Sequence, residues 1–519
     1  MPDSYLTLGW QVTPTLEPRY WLTGSPKPGQ QSPTDLVKIA AENVSSHTAI
    51  IAQSGSGKSF FLGRLVEELL LNTKARCLIF DPNADFRRAF EVESKDLWES
   101  AQYSVDKRGG KLPHEPNHEK FKDAWSSVPI RVLRGDIAQG GDHYERLTLR
   151  WLDISIDFLT EDLSPELRGS MYHCHAFVRA LEPLITFKAQ EEQTELDLID
   201  EAEHALEKEQ HHRNGEGLKI ALHVDNKLRF KNRLTERLTQ PLNTPIDPLD
   251  SAIRAVKYIS PSAQQLYFAK AREYQAAQIL NTKLPAEEPK RGVGLEVIDL
   301  PSLPDKATRF LAINAILANR WAAARKSWAD ALTKSAEIDQ RVPTFVVVDE
   351  AHNLIPAEPD SRSARALREQ FRTIVAEGRK YGLFLIVVSQ RPDKLDPMVL
   401  SECENKAIMK LSSRSVVELT QQALGLEDLG PKLLGKCLEF DVGRVLLAGN
   451  WTPEGPVLCY SAARRTVEGG RNLRKKHWTI PYERGDRKRD RPEGPVSDLS
   501  AGARDAPREK AKPEQRDKR

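Results

Sequence analysis

The stretch His47-Thr48-Ala49-Ile50-Ile51-Ala52 is an apolar, β-rich run. It breaks into Gln53-Ser54-Gly55-Ser56-Gly57-Lys58-Ser59 and then into the helical pattern Phe60–Leu71. A strand, a Gly-Ser turn ending in Lys-Ser and a helix make up the phosphate-binding loop, here with Ala52 in place of its first glycine. Gly55 and Gly57 permit a turn that points successive N–H groups inward, where they and the helix N-terminus can hold phosphate oxygens. Lys58 is expected to reach the β- and γ-phosphates of ATP, and the Ser59 hydroxyl to ligate the bridging Mg²⁺. The expected nucleotide contacts are Ser54, Gly55, Ser56, Gly57, Lys58, Ser59 and Phe60.

A second strand pattern, Thr344-Phe345-Val346-Val347-Val348, ends in Asp349-Glu350, the arrangement called Walker B. Asp349 is expected beside Mg²⁺. Glu350 is aimed differently by its neighbouring position and is the best general base in the chain for activating water. A third run, Leu383–Val388, ends in Ser389-Gln390-Arg391-Pro392, which brings Gln390 to the same sheet edge as a candidate sensor of the γ-phosphate. A further motif strand and a glutamate beside the Walker B aspartate point to the ring-motor branch of these ATPases rather than to simple kinases.

Other β-rich runs lie at Arg76–Phe80, Val293–Asp299, Ala407–Leu411 and Arg444–Ala448, with helical patterns between most of them. The alternation predicts an α/β fold, a RecA-like P-loop core with a mainly parallel sheet covered by helices. Its two parts are 46–157 and 291–463. Across 158–290 the strand signal gives way to helical patterns such as Glu191–His212 and Leu228–Thr239, which reads as a helical insertion. Glu191–His212 places Leu196, Ile199, Ala202 and Leu206 three or four apart and should be amphipathic with a solvated acidic face. From 464 to 519 apolar periodicity is lost in a mixed-sign run, so this segment is expected to be a disordered tail. No repeat of fixed period is present.

The 519 residues exceed the size at which one core stops growing. A formal charge of +2 argues neither for nor against nucleic acid, so any basic surface must be local. The five cysteines, Cys77, Cys174, Cys403, Cys437 and Cys459, form no CxxC pair and read as free thiols of a reducing compartment. The start, Met1 to Pro18, shows no leader pattern, and the strongest apolar runs are too short to span a bilayer. The expectation is a cytoplasmic protein without membrane insertion.

Three stretches together with the phosphate loop resemble the HerA and FtsK group of DNA-pumping ATPases, HerA-type proteins most closely. They are Ile79-Phe80-Asp81-Pro82-Asn83-Ala84-Asp85-Phe86, Val348-Asp349-Glu350-Ala351-His352-Asn353 and Glu377-Gly378-Arg379-Lys380-Tyr381-Gly382 leading into Ser389-Gln390-Arg391-Pro392. The resemblance covers the core and leaves out the helical segment and the tail. It implies a homohexameric ring with ATP at subunit interfaces, acting on duplex DNA, with a nuclease or other effector as a possible partner. Arg379 occupies the position of the arginine that completes a neighbour's site. Arg365, Arg368 and Arg372, spaced three and four apart on the preceding helix, are alternatives for that role or else a solvated or subunit-facing stripe. HerA proteins carry a small β-barrel before the loop; only residues 1–51 precede it here. Residues 1–45 therefore read as an arm with a strand or two in Tyr5–Thr23. Ala84 stands where Gly is usual. The family also leaves open two other readings: a secretion or conjugation motor, and an ATP-binding ring scaffold that assembles an effector, with DNA end processing or phage defence as the process served.

Three further signals are weaker. His173-Cys174-His175 lacks a second cluster at metal-ligand spacing. Lys227, Arg229, Lys231, Arg233 and Arg237 suit a solvated helical face, or phosphate contacts. Arg474-Lys475-Lys476-His477-Trp478 offers charge and a stacking ring to nucleic acid, diluted by neighbouring acids.

Overall fold

In the computed structural model, strand β3 (Thr48–Ile51) is the hub of the sheet because all four of its residues are buried between helices on both faces. The structure describes residues 5–11, 36–96, 117–135, 143–160, 162–185, 195–213, 215–221, 248–276, 294–332, 341–426 and 431–469. The segments Leu228–Thr239, Lys227–Arg237 and Arg474–Trp478 lie outside them. The described residues belong to one compact unit, Met1–Gly470.

The remaining strands are β1 (Tyr5–Gln11), β2 (Leu36–Ala40), β4 (Arg76–Asp81), β5 (Ile130–Arg134), β6 (Tyr144–Arg146), β7 (Leu295–Asp299), β8 (Thr344–Val348), β9 (Leu383–Ser389), β10 (Asn405–Ile408), β11 (Arg444–Ala448) and β12 (Val457–Ser461). They form one 12-stranded sheet in the order β2-β1-β12-β11-β10-β3-β9-β8-β4-β7-β5-β6. From β10 to β6 every pairing is parallel, whereas β2, β1, β12 and β11 pair antiparallel. The fold is therefore the expected mainly parallel P-loop sheet, extended by four antiparallel strands. Period-2 alternation sorts its side chains: Phe345, Val347, Phe384, Ile386 and Val388 join one core, while Val346, Val348, Leu385 and Val387 join the other.

Helix α1 (Lys58–Asn72) and α2 (His118–Ser126) cover the first face with Phe61, Leu62, Leu65, Phe121 and Trp125. Between β6 and β7 the described chain forms helices α3 (Ile156–Leu159), α4 (Pro165–Ile185), α5 (Glu195–His212), α6 (Glu216–Ala221), α7 (Pro248–Val256) and α8 (Pro261–Ala276). Their buried residues, among them Phe177, Leu206, Tyr267 and Phe268, continue without a break into the core on the second face. Burying each such side chain contributes about 1.5–3 kcal/mol. Helices α9 (Lys306–Leu332), α10 (Arg362–Tyr381), α11 (Pro397–Ser401), α12 (Arg414–Ala423) and α13 (Pro431–Gly435) complete that face.

In α5, Ile199, Ala202 and Leu206 are buried as their spacing requires. Glu209 departs from a solvated acidic face: it is 2% exposed and accepts the backbone N–H of Leu218 at 3.0 Å and that of Gly215. It thereby ties the end of α5 to α6.

Sequence periodicity missed β2, β5, β6 and β12. β5, Ile-Arg-Val-Leu-Arg, interleaves charge with apolar residues, and β6 is three residues long. The tail boundary at 464 is also corrected. Arg464, Arg465, Thr466 and Val467 are 3–6% exposed, and Thr466 pairs with Val92. Charge-rich composition misreads this segment because Glu67 satisfies its backbone donors.

Candidate nucleotide site

The strand order sets the site. β3, β9, β8 and β4 are adjacent and parallel, so their C-terminal ends, leading to Gly57-Lys58, Gln390, Asp349-Glu350 and Asp81, lie along one edge. β9 separates the phosphate-loop strand from the Walker B strand.

Local chemistry shapes the loop. Gly55 and Gly57 adopt φ of +76° and +94°, which side chains disfavour, and a Cβ on Gly57 would lie 3.2 Å from the Gly443 nitrogen. The Ser56 carbonyl accepts the Gly443 N–H at 2.9 Å, and Ala52 N–H donates to the Ser389 carbonyl at 3.1 Å. The second bond sets the loop's first residue beside Gln390. Gln53, Ser54, Gly55 and Phe60 are exposed and Ser56 is buried. Gly57 begins α1 without a side-chain cap on its first turn, which leaves those N–H groups for an anion.

Lys58 Nζ donates to Asp349 Oδ1 at 2.8 Å and also pairs with Glu350 Oε1. Burial acts to lower the lysine, but Asp349 and Glu350 outweigh it and hold the ammonium above its ordinary pKa. Glu350 sits at φ +46°, ψ +46°, a left-handed conformation costing on the order of 1 kcal/mol or more in a non-glycine residue. Both carboxylates converge on the Lys58 ammonium, and Asp349 Oδ1 also accepts the Glu350 N–H at 2.9 Å. Glu350 Oε2 is buried without a hydrogen-bond partner, as is Ser56 Oγ.

Several participants are not evident from the motifs alone. Ser59 Oγ donates to Asp85 Oδ2 at 2.5 Å, so its first partner is Asp85 rather than Asp349. Asn83 Nδ2 donates to Asp349 Oδ2 at 3.2 Å. Asp81 folds this loop by accepting the N–H groups of Asn83, Asp85 and Phe86 at 3.2, 3.1 and 2.8 Å. Burial pushes Asp81 up to about 7, and burial also raises Asp85 against the opposing Ser59 bond. Ala84 takes φ +60°, which explains the usual glycine there. His352 Nδ1 lies 3.1 Å from Ser389 Oγ and 3.6 Å from Glu350 Oε2, linking the Walker B turn to the end of β9; burial lowers its pKa. The signal for Asn83 and Asp85 was a polar loop directly after a strand at the same sheet edge.

The donor set suits Mg²⁺ bound with nucleotide. Among the described residues no group of three His, Cys, Asp or Glu forms a ready metal cage. Mg²⁺ commonly takes one or two protein oxygens and completes its shell with phosphate and water. A serine hydroxyl beside carboxylates, with the buried unpartnered oxygens of Ser56 and Glu350, fits that pattern.

Arg379 is elsewhere. It ends α10 just before β9, and its Nη1 donates to Glu404 Oε1 at 2.6 Å, next to the start of β10. Glu404 also accepts from Ser46 Oγ at 2.6 Å and Asn450 Nδ2 at 2.7 Å. This is the N-terminal edge of the parallel strands, at least roughly 10 Å of strand from the chain's own loop. The expected arginine stripe is corrected: Arg372 grips Asp396 with Nη2 at 2.7 Å and Nε at 3.2 Å, and Arg368 donates to the Ala357 carbonyl at 2.7 Å. Arg365 is exposed. His173 stacks on Tyr258, and His175 Nδ1 meets the Tyr267 hydroxyl at 3.0 Å, so the two rings serve packing.

The sequence matches the family model described as "Helicase HerA, central domain" over residues 24–320. The chain belongs to the HerA helicase family. It is thereby a P-loop ATPase, and residues 297–411 match a second family, the "ATPase family associated with various cellular activities". Curated HerA relatives include the DNA double-strand break repair helicase HerA of Sulfolobus acidocaldarius, 34% identical over 163 residues, 30% of this chain and 29% of that one. Another is the probable DNA double-strand break repair helicase HerA of Methanocaldococcus jannaschii, 34% identical over 107 residues, 21% of this chain and 20% of that one. The matched stretch is thus less than a third of either HerA relative. Solved structures similar to this HerA-family chain include VirB4 of Thermoanaerobacter pseudethanolicus, at 14% identity and TM-score 0.40, covering 88% of this chain and 98% of that one. The bacterial conjugative coupling protein TrwBdeltaN70 matches at 12% identity and TM-score 0.43, covering 91% and 97%. Among the described residues no helix is long and apolar enough to cross a membrane.

Proposed function

We propose that this chain hydrolyses Mg·ATP and couples it to movement along duplex DNA as a homohexameric ring. The observation that carries the reading is Lys58 between Asp349 and Glu350 on one sheet edge while Arg379 stands on the other. Lys58 and the N–H groups of Ser54–Phe60 hold the phosphates. Ser59 and Asp349 hold Mg²⁺, which neutralises phosphate charge when bound. Glu350, whose Oε2 has no hydrogen-bond partner, takes the proton of the attacking water. Gln390 senses the γ-phosphate, and its coupling to the base runs through Ser389 and His352. Arg379 is too far from its own loop to act there and so serves a neighbour's ATP. The DNA repair helicases among the curated relatives support duplex DNA as the polymer.

The test is ATP turnover by the purified chain with and without linear duplex DNA, using Glu350→Gln as the control for contaminating enzymes. Stimulation of several-fold that vanishes in Glu350→Gln is expected. Turnover that is sensitive to Glu350→Gln but indifferent to DNA would favour the scaffold reading, in which an effector protein is the stimulus.

A further inference from the structure

After the last strand, β12, the chain does not leave the body at once. Residues Arg464–Gly469 run between α1, which carries Lys58 and Ser59, and the loop after β4, which carries Asp85. On the α1 side Glu67 is 1% exposed and accepts the Arg465 N–H at 2.9 Å, the Thr466 N–H at 2.8 Å and the Thr466 hydroxyl at 2.9 Å. On the loop side Val467 N–H donates to Glu91, Glu93 N–H to Arg465 and Gly469 N–H to the Asp85 carbonyl, at 2.9, 2.9 and 3.1 Å. Arg464 fills the space between: its guanidinium lies 4.4 Å over the Phe86 ring, and its stem occupies the space a Cβ on Gly63 would need. The same segment thus touches α1 at Gly63 and Glu67, one and two turns after Ser59, and the backbone of Asp85 itself.

We propose that Arg464–Gly469 is a strap that positions the Ser59 hydroxyl toward Mg²⁺, with Glu67 as its anchor, Arg464 as its wedge and Gly469 as its contact with the Asp85 loop. The inference rests on the nucleotide reading above. The Ser59 O–H donates its hydrogen bond to Asp85, which leaves the oxygen lone pairs for the metal; a shift of the Asp85 loop relative to α1 turns that hydroxyl. Arg464 and Gly469 touch neither nucleotide nor metal in this arrangement, so they are positioning residues.

The test uses the full chain and a fluorescent ATP analogue, titrated once with Mg²⁺ and once with EDTA. Gly469→Ala puts a methyl group 2.2 Å from the Ala84 carbonyl oxygen and must push strap and loop apart. Arg464→Met keeps much of the stem and removes the guanidinium. Both are expected to lose roughly 10-fold of the Mg²⁺-dependent gain in affinity, as losses of supporting contacts around metal ligands do, with affinity in EDTA unchanged. An unchanged Mg²⁺ gain in Gly469→Ala overturns the strap. So does an equal loss with and without Mg²⁺, which would mark a merely structural element. If Arg464→Met does not fold, Gly469→Ala decides alone. A wild-type chain that binds the analogue without any Mg²⁺ gain would instead sink the nucleotide reading itself.

Discussion

The two edges of the parallel sheet carry opposite electrostatic arrangements. At the C-terminal edge four carboxylates, Asp81, Asp85, Asp349 and Glu350, gather around Lys58 and Ser59 in a largely buried setting. At the N-terminal edge the cation Arg379 stands about half exposed, its side chain 52% accessible, on a carboxylate that is itself 39% accessible. Buried like charges close together are costly and call for a cation from outside, whereas an exposed ion pair is worth little and exchanges partners readily. The difference teaches that, on the proposed reading, the chain leaves its own site open at one edge and carries the arginine for a neighbour's site at the other. On the proposed reading, head-to-tail packing in a ring joins the two.

The sharpest way to break the comparison is to separate the edges onto different subunits. Arg379→Ala is expected to lower ATP turnover on the order of 10³-fold while nucleotide binding persists. Mixing Arg379→Ala with Lys58→Ala chains should restore part of the activity, because interfaces then form with one intact loop and one intact arginine. Turnover of each variant alone and of the mixture is the measurement; no recovery at any ratio would mean that Arg379 does not act across an interface.

What could be read in advance follows from how local each feature is. Gly55-Ser56-Gly57-Lys58-Ser59 and Asp349-Glu350 are short runs next to buried strands, so their place at one edge follows from strand polarity alone. Gly57 at φ +94° was readable for the same reason. The Ser59–Asp85 bond joins residues 26 apart, and Glu67 meets Arg465 across 398 positions; no periodicity encodes either. Arg368 and Arg372 looked like a solvated stripe because helical spacing is blind to Asp396, which approaches from the turn after β9. Composition likewise hid Arg464, whose burial depends on a carboxylate far away in sequence.

A smaller effect separates the edges by acidity. His47, on the N-terminal side beneath Arg379, accepts the Leu385 N–H at 2.9 Å through Nδ1, and burial lowers its pKa to about 4; His175 is lowered by burial to about 4 as well. The unfolded chain binds a proton near 6.5, so between pH 6.5 and 4 it holds more protons than the folded one. Their contribution to stability is complete above that window and is lost as pH falls through it. At pH 5 the loss is about 2 kcal/mol per histidine. Asp81, raised to about 7, gains stability over the same window, so the histidine share is read by urea unfolding of wild type against His47→Asn at pH 7 and pH 5: the variant should lose about 2 kcal/mol less on acidification. An undiminished slope would place the acid sensitivity in other groups, with His352, whose pKa burial also lowers, as the alternative; Asp81 and Asp85, raised by burial, act in the opposite sense.

The smallest expected effects decide which arginine of α10 answers a neighbour's site. Arg372 closes on Asp396, which is 0% exposed and also caps α11 by accepting the Val399 N–H at 3.1 Å. Arg372→Ala should therefore cost on the order of 1 kcal/mol, limited because Arg368 Nε lies 3.8 Å from the same carboxylate and can take over part of the charge balance. Arg365→Ala, at an exposed helical position, should change stability by no more than about 0.5 kcal/mol. Neither should alter ATP turnover per folded chain, measured beside unfolding curves for the same preparations. A turnover loss in Arg365→Ala with unchanged stability would transfer the interface role from Arg379 to Arg365. That result would leave the Lys58 site as described and end the division of labour between the two edges.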